Sequence, residues 1–346
     1  MVRVLVDRHQ ADLFYAMQII LEDRLGLEVY TPIGYEWFDE GYWQFGHQHL
    51  GRALADQYLQ IDAKYALTAQ EAPPRPYYTT SDPAHPERPI RCVTLDQFRA
   101  LGGWTHITAT VQDNQAGFAR LAAEVGAKYV YQVGNTRQDV DWSLDPLALV
   151  SSEVPITGRG VLMHQPFDHT GDFRYRPPFE ETGLWSTQAC ITSFVNLMPR
   201  LVDWPLWLGY QTYLPEFQTF VFGIDGPDGN LHPVGAIADV MAGSAFGLHL
   251  KPTGDGFGHV LHNWAAVGRP LIGRASYYRG QMGERFWQDT VTCIDLDQRG
   301  PDENAALIRD VWADKDRYRA MCRAIRAEFD RIDWDAEATA IADLLL

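Results

Sequence analysis

Cysteine and positive charge are scarce in this chain of 346 residues, and long apolar runs are missing. Its four cysteines lie far apart and form no CxxC pair, so we expect reduced, buried thiols in a cytoplasmic protein rather than disulfides. No apolar run approaches the ~18 residues that a membrane helix needs. The opening MVRVLVDRH has the pattern of a strand followed by charge, so we expect neither a signal peptide nor a membrane segment.

The charge balance argues against one class of partner. Lys and Arg together number 29 against 45 for Asp and Glu, which gives a formal net charge of −16. Such a chain does not attract polyanions nonspecifically, and this disfavours a nucleic-acid binder whose affinity depends on phosphate contacts. A local basic cleft remains compatible with this charge.

The length predicts about two domains, and the 46% hydrophobic content is enough for sizeable cores.

Several catalytic motifs are also missing. The sequence contains no P-loop, no GxSxG and no HxxEH-type histidine spacing. One DxD, Asp295-Leu296-Asp297, lies late in the chain, and we interpret it as solvation of a strand end. The residue spacings therefore give no metal site.

The first half of the chain alternates strand and helix patterns. Val2 to Val6 predicts a buried strand, and Asp12 is a plausible N-cap for a helix that Gly26 closes. Leu27 to Ile33 predicts the next strand. Further strands are predicted at residues 105–111, 128–133 and 160–163, with a helix at 114–125. This order predicts an α/β, Rossmann-like domain over residues 1–175.

An irregular, aromatic segment interrupts this domain and is interpreted as an insertion, residues 34–103. Leu50 to Ile61 has a helical pattern, and six prolines between Ala72 and Pro89 predict a loop. After a linker at Arg174 to Pro178, alternation resumes and predicts a second α/β domain over residues 179–330. Its strands are predicted at residues 190–196, 218–223, 246–250, 271–272 and 291–296, and its helices at 236–244, 304–312 and 317–332, with a final helix from Trp334.

The stretch Lys251 to Gly273 organises the second domain. A strand leads into a glycine-rich loop, and then Phe257, Val260, Leu261 and Trp264 follow helix periodicity. Gly268 and Pro270 end that helix before a short apolar strand. The loop lies at the carboxyl end of a strand, where open α/β sheets bind ligands. Backbone N–H groups of Gly256 to His259 would face an anion there, with the helix dipole behind them.

This stretch resembles the donor-binding segment of GT-B glycosyltransferases. Its amino-acid sequence is most similar to glycosyltransferase-like proteins of bacteria and their phages. The resemblance is carried by Asp255-Gly256-Phe257-Gly258 and by Ala265-Ala266-Val267-Gly268-Arg269-Pro270. It implies two Rossmann-like domains facing across a cleft, with the C-terminal helix 331–346 crossing back to the first. It also implies a nucleotide-diphosphate sugar as substrate, with no metal and no other cofactor.

Donor-binding residues follow from the motif. Gly256, Phe257, Gly258 and His259 would receive the diphosphate, and Lys251 and Arg274 would add positive charge. Asp255 either caps the helix or contacts the donor sugar, and Gly223 is expected near the donor base. Asn263 stands where many retaining members carry a second Glu, and we expect it to hydrogen-bond a ribose. The alternatives are a tight turn for the glycines and a solvated strand end for Lys251.

The general base is predicted to be His9, because it directly follows the first strand at the sheet edge. Inverting GT-B enzymes that use histidine often place it in this connection. Asp7 or Asp12 would orient the ring, although His9 is nearly as well explained as part of a helix cap. Asn135, His164 and Tyr277 are weaker candidates for acceptor or cleft contacts.

These residues together favour a glycosyltransferase that moves a sugar to an unknown hydroxyl acceptor, with an inverting outcome slightly favoured. A nucleotide-sugar 2-epimerase and a non-catalytic nucleotide-sugar-binding protein remain as alternatives. The phage resemblance adds one narrower acceptor, a hydroxylated base in DNA, which the net charge of −16 disfavours.

Overall fold

A computed structural model describes residues 2–8, 11–32, 37, 76–82, 84–134, 140–179, 187–252 and 254–346. The chain divides into two compact units. Unit 1 comprises Met1–Phe167 and Trp334–Leu346, and unit 2 comprises Asp168–Asp333. The predicted linker at 174–178 falls inside unit 2. None of the helices in the described ranges is long and apolar enough to cross a membrane.

The strands are numbered in chain order. In unit 1 they are β1 Arg3–Val6, β2 Glu28–Pro32, β3 Tyr78–Ser81, β4 Pro89–Val93, β5 Trp104–Ala109, β6 Lys128–Val133, β7 Leu147–Val150 and β8 Gly160–Leu162. In unit 2 they are β9 Gln188–Ser193, β10 Gln218–Val221, β11 Ser244–His249, β12 Leu271–Gly273 and β13 Cys293–Asp295.

The α-helices of the described residues are numbered in the same way. They are α1 Ala11–Gln18, α2 Leu95–Leu101, α3 Gln115–Val125, α4 Trp204–Tyr213, α5 Val234–Gly243, α6 His259–Val267, α7 Pro301–Ala313, α8 Lys315–Phe329 and α9 Trp334–Leu345. A π-helix, Ile19–Arg24, continues α1. Short 3-10 helices cover Gln112–Asn114, Trp142–Leu144, Met198–Arg200, Ala275–Tyr278 and Met282–Phe286.

Unit 1 is a doubly wound sheet in the order β3-β4-β2-β1-β5-β6-β7-β8. Every neighbouring pair is parallel except β3 with β4. Because side chains alternate across a strand, Leu5 packs on the face covered by α2 and α3, whereas Val4 and Val6 pack on the face covered by α1. Helix α9 belongs to this unit and adds Ile341 and Leu345 to the α1 face.

Unit 2 is a second parallel sheet, in the order β10-β9-β11-β12-β13. Its hydrophobic core lies between one face of the sheet and helices α4, α7 and α8, and includes Trp207, Phe246 and Tyr318. Both units therefore have the Rossmann-like architecture predicted from the alternating strand and helix patterns.

Three described strands and two α-helices are not anticipated by the sequence patterns: β3, β4 and β7, and α2 and α4. The loop predicted between Ala72 and Pro89 is wrong over Tyr78–Ser81, because this β-branched run pairs antiparallel with β4. Since β4 in turn pairs with β2, part of the predicted insertion 34–103 belongs to the sheet itself. The helix predicted at Leu50 to Ile61 lies outside the described residues.

Candidate donor site in unit 2

The carboxyl ends of the unit 2 strands meet along one edge of the sheet. Val221 and Leu248 are both in register with Ser193, and His249 is in register with Gly273, which pairs with Asp295. The strand order reverses at β9, so the crevice between β9 and β11 is the topological switch point of this sheet. Ligands of doubly wound sheets bind at this position, and the loop before α6 lies there.

The loop from β11 to α6 depends on two glycines. Gly254 has φ +70° and Gly258, the N-cap of α6, has φ +72°. A Cβ atom on Gly258 would lie 3.2 Å from Leu261 Cδ1 and 3.3 Å from the Asp255 carbonyl oxygen. A Cβ atom on Gly254 would lie 2.0 Å from Gln281 Nε2. Both positions therefore require glycine for conformational and steric reasons.

Helix α6 begins at His259, two residues later than the sequence pattern predicts. Phe257 lies before it, buried, and its ring stacks on His262 at 4.0 Å between centroids. Of the two alternative roles given for Asp255, capping of this helix is wrong, because Gly258 is the N-cap and no side chain of the described residues caps it. The first amides of a helix have no intrahelical acceptor, so this end of α6 suits an anion.

Asp255 is held by three neighbours instead. Its carboxylate Oδ1 accepts a hydrogen bond from Lys251 Nζ at 2.5 Å, and its backbone N–H donates to Gln281 Oε1 at 2.9 Å. Its other oxygen, Oδ2, lies 3.9 Å from His249 Nε2. Lys251 is therefore an ion-pair partner of Asp255 rather than a solvated strand end.

His249 is a residue that the sequence analysis missed. It is the last residue of β11, is 1% exposed, and among the described residues neither ring nitrogen has a hydrogen-bond partner. Burial lowers the pKa of His249 to about 4, against the opposing effect of Asp255, so the ring is neutral at physiological pH. Its ring lies 5.7 Å from that of Tyr278, which stacks on Trp287.

Asn263 lies one helical turn after His259, at i+4. Its side chain is partly buried, and its carbonyl oxygen Oδ1 is buried with no hydrogen-bond partner in the described part of the chain. A buried amide oxygen without a donor is destabilising unless water or a ligand supplies one. Asn263 thus offers an acceptor for a hydroxyl group at the position where the sequence predicts a ribose contact.

Arg274 lies at the same edge, directly after β12, but two carboxylates already bind it. Its Nε contacts Asp203 Oδ1 at 3.3 Å, and its Nη1 contacts Asp297 Oδ1 at 2.6 Å. The Tyr277 hydroxyl donates to the second oxygen of Asp203. Burial and the Asp203 carboxylate raise the pKa of Tyr277 to about 12, so it remains a donor. This network holds Arg274 and Tyr277 in place within unit 2.

The DxD segment is part of this network. Its interpretation as strand-end solvation is wrong for Asp295, which is 3% exposed and accepts hydrogen bonds from the Ala275 and Asp297 amides at 3.0 and 3.1 Å. Burial raises the pKa of Asp297, but hydrogen bonds from Ser276 and Arg274 outweigh that effect and lower it. In the described ranges, no group of three or more His, Cys, Asp or Glu residues is arranged to hold a metal.

Gly223 shapes the loop after β10. It has φ +120°, and a Cβ atom there would lie 2.6 Å from Asn196 Oδ1. The same Asn196 oxygen accepts from the Ile224 amide at 2.9 Å, which ties this loop to the one after β9. Phe194 and Phe222, which follow β9 and β10, stack at 5.4 Å between centroids. Sequence reasoning missed Asn196 and both rings.

The remaining candidate site residues belong to unit 1, and the structure describes only some of them. Asp7 is fully buried, and its carboxylate accepts from the Thr110 amide at 3.3 Å and from Asn114 Nδ2 at 3.0 Å. Asp12 is in the first turn of α1, not at its cap, and its Oδ1 lies 3.4 Å from His85 Nε2. His9 and Asn135 lie outside the described residues.

His164 and His85 each pack against a ring and a carboxylate. His164 Nδ1 lies 2.6 Å from Glu337 Oε1, and its backbone N–H donates to Oε2 at 2.7 Å, which attaches α9 to the end of β8. His85, which the sequence analysis did not single out, stacks on Tyr15 at 3.9 Å and lines a small cavity that also includes Arg8 and Arg88.

Comparison with known proteins identifies the architecture. No protein-family model and no curated protein sequence matches the chain. The solved structure of Anabaena HepE in complex with UDP and glucose is similar over 99% of this chain and 98% of its own, at 12% identity and TM-score 0.62. The chain has the GT-B fold.

Two further GT-B structures are similar over the same extent. Sucrose-phosphate synthase from Thermosynechococcus elongatus is covered over 98% of its chain and covers 99% of this one, at 14% identity and TM-score 0.61. WaaG, a glycosyltransferase involved in lipopolysaccharide biosynthesis, is similar over 100% of this chain and 99% of its own, at 14% identity and TM-score 0.50. The two Rossmann-like units of the chain therefore correspond to the two domains of the GT-B fold.

Proposed function

We propose that the protein is a glycosyltransferase that moves a sugar from a nucleotide-diphosphate sugar to a hydroxyl acceptor. One observation supports the proposal: the glycine-dependent loop before α6 holds the Lys251–Asp255 ion pair at the switch point of unit 2 and leads directly into the N-terminus of α6. Asn263 lies one turn into that helix. The GT-B neighbour HepE has been solved with UDP and glucose and with UDP-glucose. UDP-glucose is accordingly the first donor to test.

The donor site divides into three parts under this proposal. The amides of Gly256 to His259 receive the diphosphate, where the helix dipole stabilises the negative charge that builds up on the leaving group. Asn263 binds a ribose hydroxyl, and Asp255 contacts the sugar. The loop tied by Gly223 and Asn196 borders the base. Arg274 lies at the same sheet edge, but its Nε and Nη1 donors already bind Asp203 and Asp297, and these two carboxylates outweigh its single positive charge. Lys251 is therefore the cation proposed for the diphosphate.

For the acceptor side, the sequence supports His9 as general base. His9 would take the proton of the acceptor hydroxyl as that oxygen attacks the anomeric carbon and the bond to the diphosphate breaks. Such a direct displacement inverts the anomeric carbon. Of the two carboxylates predicted to orient His9, Asp12 is the more suitable, since Asp7 is buried and binds Thr110 and Asn114.

The donor site can be tested with a thermal-shift screen of UDP, GDP, ADP, TDP and CDP and their common sugar conjugates. A ligand at 100 times its dissociation constant stabilises the folded state by about 2.7 kcal/mol, a visible shift. Gly258→Ala should abolish that shift, because the added Cβ strains the N-cap of α6. Gly126→Ala is the matched control, since Gly126 has nearly the same φ, +69°, with nothing within 4 Å of its Cβ position.

The two glycine variants separate backbone strain from loss of the site. We expect both to lower the melting temperature of the unliganded protein and only Gly258→Ala to lose the nucleotide shift. If no nucleotide stabilises the wild-type protein, or if Gly258→Ala retains the full shift, the proposed donor site is wrong.

A further inference from the structure

His249 and Lys251 compete for one carboxylate. Asp255 lies between them, with Oδ1 at 2.5 Å from Lys251 Nζ and Oδ2 at 3.9 Å from His249 Nε2. The first distance is a hydrogen bond and the second is too long for one. Among the described residues, therefore, Lys251 has its partner and the buried imidazole does not.

The missing hydrogen bond of His249 has an energetic consequence. A buried polar group without a partner costs stability, and a neutral imidazole always carries one N–H that can donate. Tyr278 packs against the ring, and β12 and β13 continue the sheet beside β11, so water has little access to it. The carboxylate of Asp255 is the nearest charged acceptor, and it needs to move only about 1 Å to reach bonding distance.

The backbone of the loop is built to allow that movement without refolding. Gln281 accepts the Asp255 amide at 2.9 Å, and its own amide nitrogen donates to the Tyr277 carbonyl oxygen at 3.1 Å. Gly254 packs directly on the same Gln281 side chain. With its backbone fixed in this way, Asp255 can exchange partners by side-chain rotation alone.

A nucleoside diphosphate at the N-terminus of α6 would supply the driving force. Lys251 follows β11 at the same sheet edge, and phosphate oxygens would attract its ammonium group away from Asp255. The carboxylate would then lose its cation and gain a repulsive anionic neighbour. A bond to His249 offsets this loss.

We propose that Asp255 exchanges Lys251 for His249 when a nucleoside diphosphate binds, so that Lys251 becomes a phosphate ligand and His249 positions Asp255. This inference deepens the proposed function and rests on it. His249 touches neither substrate nor phosphate and is a positioning residue. Asp255, turned toward His249, is held in one orientation for the donor sugar.

The test uses two substitutions that differ in where they put an amide nitrogen. His249→Gln places its NH₂ group near the position of imidazole Nε2, whereas His249→Asn places it near Nδ1. We expect His249→Gln to bind UDP as the wild-type protein does and His249→Asn to bind about tenfold more weakly, the effect of one lost hydrogen bond. Titration calorimetry with UDP measures both. Lys251→Met should also weaken UDP binding, by at least tenfold.

A double-mutant cycle locates the new bond in the liganded state. With Asp255→Ala as the second substitution, which removes the acceptor, His249→Asn should cause no further loss of UDP affinity. Equal UDP affinities for His249→Gln and His249→Asn would overturn the exchange and leave His249 as a packing residue. Unchanged affinity in Lys251→Met would also overturn it. Failure of every nucleoside diphosphate to bind the wild-type chain would instead overturn the proposed function, and this inference with it.

Discussion

His249 makes the stability of the folded chain depend on pH in a predictable direction. An exposed histidine titrates near 6.5, but burial lowers the pKa of His249 to about 4, with Asp255 opposing the shift and Lys251 reinforcing it. Tyr278, the ring packed against it, is neutral throughout this range, and burial raises its pKa further. As the pH falls from 6.5 to 4, the unfolded chain binds a proton that the folded chain does not, so stability is complete above about 6.5 and is lost toward 4.

The expected size of this effect is about 3 kcal/mol over the whole window. His249→Gln should remove it, because glutamine does not titrate. Urea unfolding midpoints of the wild-type and His249→Gln proteins should be measured from pH 7 to pH 4.5. The two midpoints should converge as the pH falls, because the wild-type midpoint falls more steeply. His106, whose pKa burial also lowers, is present in both proteins and cancels from the difference. Parallel curves for the two proteins would show that His249 does not titrate in this way.

Residue-level prediction succeeds where a local rule fixes the residue type. Gly258 and Gly268 are recognisable from sequence because each takes a positive φ at a helix end, which is a local property of the chain. His249, Asn196 and Asp203 are not recognisable, because their roles depend on partners that are distant in sequence, such as Asp255 for His249 and Arg274 for Asp203. Arg274 shows the converse: its charge is obvious from sequence, but the two carboxylates that bind it are not.

At the scale of elements, Arg269 connects α5, α6 and the segment around Arg176, all within unit 2. Its guanidinium is 1% exposed and donates to backbone carbonyl oxygens, to that of Ala242 from Nε and Nη2 at 3.1 and 2.7 Å and to that of Arg176 from Nη1 at 2.7 Å. Among the described residues no carboxylate pairs with it. A planar group with five donors suits this arrangement of carbonyls, and lysine would not reproduce it.

Arg269→Met should therefore destabilise the protein by about 2–4 kcal/mol, because it leaves buried carbonyl groups without donors. The free energy of unfolding in urea measures the loss. Arg279→Met is the control, since Arg279 is exposed and lies in the same unit. An Arg269→Met protein as stable as the control would contradict the role assigned to this network.

Whole strands and helices are predictable from sequence where their own residues give a clear pattern, and not where pairing with distant segments stabilises them. The strand predicted at 128–133 is found as β6, because its apolar run and flanking glycines are local signals. β7 is an apolar run of only four residues and β3 lies among prolines, so their local signals are weak; β7 pairs with β6 and β8, and β3 pairs with β4. α4 is apolar on most of its surface, which hides its helical periodicity.

At the scale of the whole molecule, the alternation of strands and helices in both halves was sufficient to predict two Rossmann-like units. The strand order of each sheet was not predictable in this way, since it depends on pairings between segments far apart in the chain. The charge of −16 belongs to the whole molecule and still disfavours a DNA acceptor. A small or neutral hydroxyl acceptor is more consistent with it.

The most direct test of the central claim is to follow the donor itself. Phosphorus and proton NMR spectra of UDP-glucose, or of whichever conjugate the thermal screen selects, should be recorded with the wild-type protein and with Gly258→Ala. If the protein transfers the sugar to an added alcohol or to water, the wild-type protein should release the free nucleoside diphosphate and Gly258→Ala should not. An epimerised nucleotide sugar with no diphosphate released would indicate an epimerase, and an unchanged donor that nevertheless binds would indicate a non-catalytic binding protein. Either result would contradict the account.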